Sequence, residues 1–244
     1  MSRLIEHDSV KAARILDSAR ELALEHGVRK VTIAEIAAAA GVGKGTVYLY
    51  WATKEDLFVG LAAREVMAWL QTVSRRITQD PQSVLPRRLA PFLIRTTLAN
   101  PWLRWLQSDD SALRQLLHRP ADQERFAEAT TSALGIAVLT ILRDHGIVRY
   151  DLPLPRQMYA LHAVLVGFVT VMGNTAGIAD AATGPSGTDD PDTALADTVH
   201  LLLERPHDPP APDIAKAAEA VRTRFTEIYD NLLGLVTTGA AGTR

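Results

Sequence analysis

A chain of 244 residues with 47% hydrophobic side chains can bury a sizeable core in one large domain or two modest ones, which excludes global disorder. The absence of cysteine excludes disulfides, thiolate metal sites and cysteine nucleophiles together. The formal net charge of −2 lacks the basic signature of a nucleic-acid binder, so local pattern has to decide.

The first residues, MSRLIEHDSVKAARIL, mix charges and carry no apolar run of the signal-peptide kind. Residues 160–179 approach the length of a membrane span, but they include His162, Asn174 and three glycines and lack flanking basic anchors. They read as a buried helix, and the chain as cytoplasmic with no membrane partner.

Apolar spacing is helical almost throughout. From Ser9 to His26, the residues Ala12, Ile15, Leu16, Ala19, Leu22 and Ala23 recur at three- and four-residue intervals, and Gly27 sits where a helix ends. A short helix opens at TIAE, where Thr32 as N-cap and Glu35 three positions on make a capping box; its buried stripe is Ile33, Ile36, Ala37 and Ala40, and Gly41 ends it. A third helix of about two turns runs from Lys44 to near Tyr50. A fourth opens at TKED with Thr53 as N-cap and Asp56 at N3, carries Leu57, Phe58, Leu61 and Ala62 inward, and runs to about Thr78.

Beyond Pro81, helices are expected at 83–99, 101–107, 109–118, 121–145 (closed by Gly146), 155–176, 193–204 and 213–235. Residues 182–193 are turn-forming, and 205–213 form a proline-rich connector. No β alternation and no internal repeat is visible. The expected fold is all-α.

The stretch GVGKGTVYLYW (41–51) poses the functional question. Three glycines beside Lys44 and Thr46 suggest a phosphate loop, but a Walker loop needs Gly-Lys followed by Ser or Thr, and here Gly45 follows. The residue five before Gly43 is Ala38 rather than Gly, the glycines are spaced G-x-G-x-G, and an alanine-rich helix precedes them instead of a strand. Helix, glycine turn and short helix fit at every position as helix-turn-helix. Gly41 permits the left-handed turn, Val42 plugs the space between the helices, and Gly43 is the N-cap. Val47 and Trp51 share the inward face. Lys44, Gly45, Thr46, Tyr48, Leu49 and Tyr50 are left for the helix start and its outer surface.

The run TIAEIAAAAGVGKGTVYLYWATKEDLF (32–58) resembles the DNA-binding signature of the TetR family of transcriptional regulators. It does so in Thr32, Ile36, Ala37, Ala40, Gly41, Val42, Gly45, Thr46, Tyr48, the aromatic Trp51, Lys54 and Leu57. The resemblance covers roughly residues 9–70; the remainder is similar in architecture only. Two departures stand out. Gly43 replaces a frequent serine, and Tyr50-Trp51 replaces a frequent His-Phe.

The resemblance implies a three-helix DNA-binding domain (1–55) followed by a larger helical ligand-binding and dimerisation domain (56–244). It implies base contacts from Lys44, Gly45 and Tyr48, and phosphate contacts from Thr32, Thr46, Tyr50 and Lys54. A lysine can donate to guanine O6 and N7, whereas phosphate contacts set register. Between Arg29 and Lys54 the chain carries four basic side chains and only Glu35 as an acid, a small footprint that a two-fold dimer would double.

The implied partners are a double-stranded DNA operator, a second copy of the chain and a small-molecule effector. Helices 155–176 and 193–204 are the expected dimer surface, through Leu161, Leu165, Phe168, Leu195, Val199 and Leu202, with an intramolecular core as the alternative. Trp69, Trp102, Trp105, Phe126, Met158, Tyr159 and His162 are candidates to line an apolar pocket, with His118 and His162 as polar handles. Each of these aromatics could equally be plain core.

No zinc-protease or nucleophile-elbow motif occurs, and Asp189, Asp190 and Asp192 read as solubilising rather than metal-binding. No cofactor, metal or catalytic residue is expected. The last helix is expected to bury Phe225, Ile228 and Leu232, with no function assigned to it. The function read from the sequence is a ligand-responsive repressor; the alternative is a ligand-binding or catalytic helical protein that uses the helix-turn-helix only as scaffold.

Overall fold

The computed structural model describes residues 10–108, 123, 126–173 and 190–238, and within them the protein is helical with no strand. The helices are α1 (Val10–His26), α2 (Ile33–Ala39), α3 (Lys44–Tyr50), α4 (Lys54–Gln79), α5 (Pro86–Ala99), α6 (Pro101–Ser108), α7 (Thr131–Asp144), α8 (Leu154–Gly173), α9 (Pro191–Leu203) and α10 (Ala211–Thr238), with a 3₁₀ turn at Pro81–Val84. No described helix is long and apolar enough to cross a membrane. An isolated antiparallel bridge joins Val148 to Glu204.

Two element boundaries depart from expectation for local reasons. The helix expected at 83–99 splits, because Pro86 forces Leu85 out of the helical region (ψ 132°) and a new helix starts with the proline in its first turn. The helix expected at 121–145 is interrupted: Gln123, Phe126 and Ala127 are helical, residues 128–130 turn, and α7 starts at Thr131. Thr130 is extended there (ψ 149°), and its side chain accepts from the Ala133 amide as an N-cap. The expected helix at 109–118 lies outside the described residues, as does most of 182–193.

Contacts divide the chain into two compact units. The first gathers 1–70, 101–129 and 226–244; the second gathers 71–100 and 130–225. None of these limits falls at the 55/56 boundary expected from sequence. The reason is visible in the first unit's core, where Leu57, Phe58 and Leu61 of α4 and Trp102 of α6 join Ile15, Leu16, Ile36, Val47 and Trp51. The Phe58 and Trp102 rings stack with centroids 6.4 Å apart. A charged bracket also ties α1 to α4: Arg64 pairs with Asp17 at 2.9 Å, and the buried Glu65 receives Arg20 and Arg64, each at 3.4 Å.

In the second unit α5 packs on α9 and α8, and α8 also packs on α7. Gly135 of α7 permits that last approach, since a Cβ there would lie 2.9 Å from the Met158 side chain. Glu204, buried at the end of α9, accepts from the Arg87 amide at 2.7 Å and pairs with the Arg87 guanidinium. It therefore sits at the positive end of the α5 dipole.

This clamp holds α9 with Leu195, Val199 and Leu203 turned inward, all essentially inaccessible within one chain. Leu195 and Val199 are thus internal core, a correction to their expected place on a dimer surface. Asp190 and Asp192 are also more than solubilising. Asp190 caps α9, and Arg95 pairs with both, at 3.7 Å to Asp190.

Candidate nucleic-acid interface

The helix-turn-helix is built by its turn. Gly41 has φ 63°, the Val42 amide donates to Ala37 O at 2.9 Å, and the Gly41 amide donates to Ala38 O at 3.1 Å. These two bonds form a Schellman closure that satisfies the last carbonyls of α2 and reverses the chain in two residues. Arg14 of α1 adds a donor to Ala40 O. Val42 packs, partly buried, against the core, as its plug role requires. Gly43 is the extended N-cap of α3 and offers no side-chain bond.

One face of α3 is fixed by burial: Val47 and the following Trp51 are in the core. Lys44, Gly45, Tyr48 and Leu49 are exposed, Tyr48 at 53% and Leu49 at 81%. Lys44 has no carboxylate partner among the described residues, so its charge is unspent. Thr46 is half-buried. Tyr50 is partly buried against the core, its ring 5.6 Å from that of Trp51. Leu49 is the residue sequence reasoning left without a role, although its exposure follows from the spacing to Val47.

At the start of α2 the capping box is formed as expected. Glu35 accepts from the Thr32 amide and hydroxyl, both at 2.8 Å, while the Thr32 hydroxyl accepts from the Glu35 amide at 3.3 Å. The Thr32 hydroxyl and then its amide hold the Glu35 carboxyl below the usual glutamate range; His26 and Lys54 add smaller attractions against slight desolvation. A carboxylate with a depressed native pKa stabilises the fold above its unfolded value and loses that contribution as pH falls through the native one. Wild-type protein should therefore lose more thermal stability than Glu35→Gln when pH is lowered from neutrality to below about 4, read by circular dichroism melts.

Lys54 opens α4 and donates from Nζ to Arg29 O at 3.1 Å, tying this helix start to the turn after α1. Thr53 caps α4 by accepting from the Asp56 amide at 3.0 Å. Thr32, Lys44, Gly45, Thr46, Tyr48, Tyr50 and Lys54 thus all lie in the first unit, on three consecutive helix starts or on α3 itself.

The pocket candidates do not gather in this way. Trp102 and Phe126 are buried in the first unit, and Trp102 is part of its helix-turn-helix core, which corrects its reading as a ligand contact. Tyr159, 79% exposed, and His162 face outward on α8. They do not line an apolar pocket of the described chain, a second correction. Trp69 and Met158 are half-buried. The Trp105 side chain and His118 lie outside the described residues.

A cavity of about 460 Å³ that sequence reasoning missed is lined by Arg149, Tyr150, Asp151, His200, Leu201, Glu204, Arg205 and Pro206. Its walls are largely ion-paired. Arg149 pairs with Asp151, His200 meets Glu204 at 3.1 Å, and the Arg205 guanidinium lies 4.8 Å over the Tyr150 ring. Among the described residues no cluster of three or more acidic or histidine side chains is placed to hold a metal.

A helix-turn-helix with a closed core, an outward-facing second helix and an unpaired lysine at that helix's start defines a DNA-binding regulator. The family model "Bacterial regulatory proteins, tetR family" matches residues 15–61, the segment that builds this unit. An HTH-type transcriptional regulator of Mycobacterium bovis, itself uncharacterised, is 37% identical over 141 residues, covering 56% of this chain and 68% of that protein. The transcriptional repressor AcnR of Corynebacterium diphtheriae is 25% identical over 166 residues, 66% of this chain and 80% of that one. A TetR family regulator structure from Marinobacter aquaeolei shares the fold at TM-score 0.54 and 19% identity, over 82% of this chain and 99% of that chain. The chain belongs to the TetR family of bacterial transcriptional regulators.

Proposed function

We propose that the protein is a repressor that binds a palindromic operator as a homodimer and is released by a small, largely apolar molecule. The observation that carries this reading is the outward face of α3, with Lys44, Gly45 and Tyr48 exposed on a helix whose opposite side is locked by Val47 and Trp51. Lys44 and Tyr48 would meet base edges, and Gly45 would let the backbone approach them. Thr32, Thr46, Tyr50 and Lys54 would hold phosphates and so fix the register of α3 in the major groove. Repression is supported by the AcnR relatives, which are named as repressors.

Dimerisation is supported by α8. Tyr159, His162, Ala163, Val166, Gly167, Thr170 and Val171 recur at three- and four-residue intervals and are all exposed in the single chain. Val166 is 50% and Val171 47% accessible, and a Cβ on Gly167 would meet no neighbour within 4 Å. Leu161, Leu165 and Phe168 flank this row, half-buried. On α9, Leu201 is 76% exposed and takes the outward place expected of Leu195 and Val199, with Leu202 half-buried beside it. Such an apolar row on a helix is ordinarily covered, and a two-fold pair is the commonest cover.

A palindromic operator would require the two recognition helices about 34–36 Å apart, one turn of B-DNA. An effector bound at either half-buried candidate, Trp69 in the first unit or Met158 in the second, would act by its different affinity for the DNA-matched and mismatched states.

Sedimentation tests the assembly. The wild type should run as a dimer. Val166→Glu, which places a charge in the covered row, should run as a monomer of unchanged helicity with much weaker operator binding. A Val166→Glu protein that remains dimeric would remove α8 from the interface.

A further inference from the structure

The described residue most exposed for an apolar side chain of its size, Leu49 at 81%, lies on the recognition helix. Its position on that helix is fixed by helical geometry. Successive residues turn by 100°, so the direction opposite the buried Val47 falls between Gly45 and Leu49, about 20° from each. Gly45 and Leu49 therefore form the outermost ridge of α3, with Lys44 and Tyr48 along one flank. Gly45 contributes no side chain, and a Cβ there would meet nothing within 4 Å. The ridge thus allows close approach at one turn and projects an isobutyl group at the next.

We propose that Leu49 reads a thymine C5-methyl in each operator half-site; this rests on α3 entering the major groove. The thymine methyl is the one apolar group that base edges present in that groove, and apolar side chains pair with it. Leu49 sits four residues, about 6 Å along the axis, from Gly45. With a rise of about 3.4 Å per base pair, its thymine lies within about two base pairs of the point where Gly45 approaches the bases. The neighbouring donors, Lys44 and the Tyr48 hydroxyl, read hydrogen-bonding groups, whereas Leu49 gains only where a methyl is present. It thus adds a discrimination of a different kind from that of the basic side chains.

The test uses the full-length protein and an operator selected from a random duplex pool. Each thymine is replaced in turn by deoxyuridine, which removes the methyl and leaves every hydrogen-bonding group in place. Burial of one methyl corresponds to roughly a fourfold change in affinity, so the symmetric double replacement should weaken wild-type binding by about fifteenfold. Leu49→Ala should bind the thymine and deoxyuridine operators within twofold of each other. Because the position is exposed, Leu49→Ala should fold like the wild type, which an unchanged melting curve verifies. Leu49→Met, which keeps an apolar tip, should retain part of the preference. A selected operator at which no deoxyuridine penalty is relieved by Leu49→Ala overturns the assignment of Leu49 alone. A pool from which no operator is enriched overturns it together with the groove reading of α3.

Discussion

Trp102→Ala should destabilise the helix-turn-helix unit by about 3–5 kcal/mol, the usual cost of deleting a fully buried aromatic. Trp102 is inaccessible, stacks on Phe58 and belongs to the same buried cluster as Ile36, Val47 and Trp51. Cavity formation at that point removes support from the helix that presents Lys44 and Tyr48, so stability and operator affinity should fall together. Thermal unfolding followed by circular dichroism should show a midpoint lowered by roughly 6–20 °C. At temperatures where the variant is folded, effector affinity should match the wild type. A variant that keeps its melting point and loses only effector binding would return Trp102 to the ligand pocket.

The second large effect separates two lysines that are alike in sequence and different in place. Lys44, at the start of the recognition helix, has no carboxylate partner among the described residues, whereas Lys54 opens α4 and reaches back to Arg29 O. Lys44→Ala should cost roughly 1–3 kcal/mol of discrimination per half-site, read as the ratio of operator to mutated-operator affinity. Lys54→Gln should weaken binding to every duplex nearly equally and reduce the salt slope by about 1 per protomer. Affinity titrations at several salt concentrations distinguish the two. Equal losses of discrimination and equal salt slopes in both variants would contradict the division of labour.

The first unit was legible in the sequence because its signals are local. Thr32 and Glu35 cap each other across three residues, Gly41 closes α2 in the left-handed region, and Val47 and Trp51 share one side of a two-turn helix. Each needs only a few neighbours to be read. The helical body was less legible because its helices are apolar on more than one side. In α8 the sequence cannot tell the outward row of Tyr159, Val166 and Val171 from the half-buried flank of Leu161, Leu165 and Phe168.

In α9, Leu195 and Val199 look like surface contacts until the Arg87–Glu204 clamp between segments 117 residues apart sets the rotation of the helix. The aromatic candidates failed for a related reason. Trp102 reads as pocket lining, and only tertiary contact with Phe58 assigns it to a core built some forty residues earlier in the chain. Helix starts were missed where proline or threonine caps interrupt an unbroken apolar period, at Pro86 and Thr130.

The most direct measurement is a fluorescence-anisotropy titration of the purified protein against DNA from upstream of its own gene, with a scrambled duplex as control, at two salt concentrations. The expected result is tight binding that falls steeply with salt, prefers the upstream sequence and saturates at two protomers per site. Binding with no preference over the scrambled duplex, there and in a genomic selection, would contradict the repressor reading and leave the helix-turn-helix as scaffold.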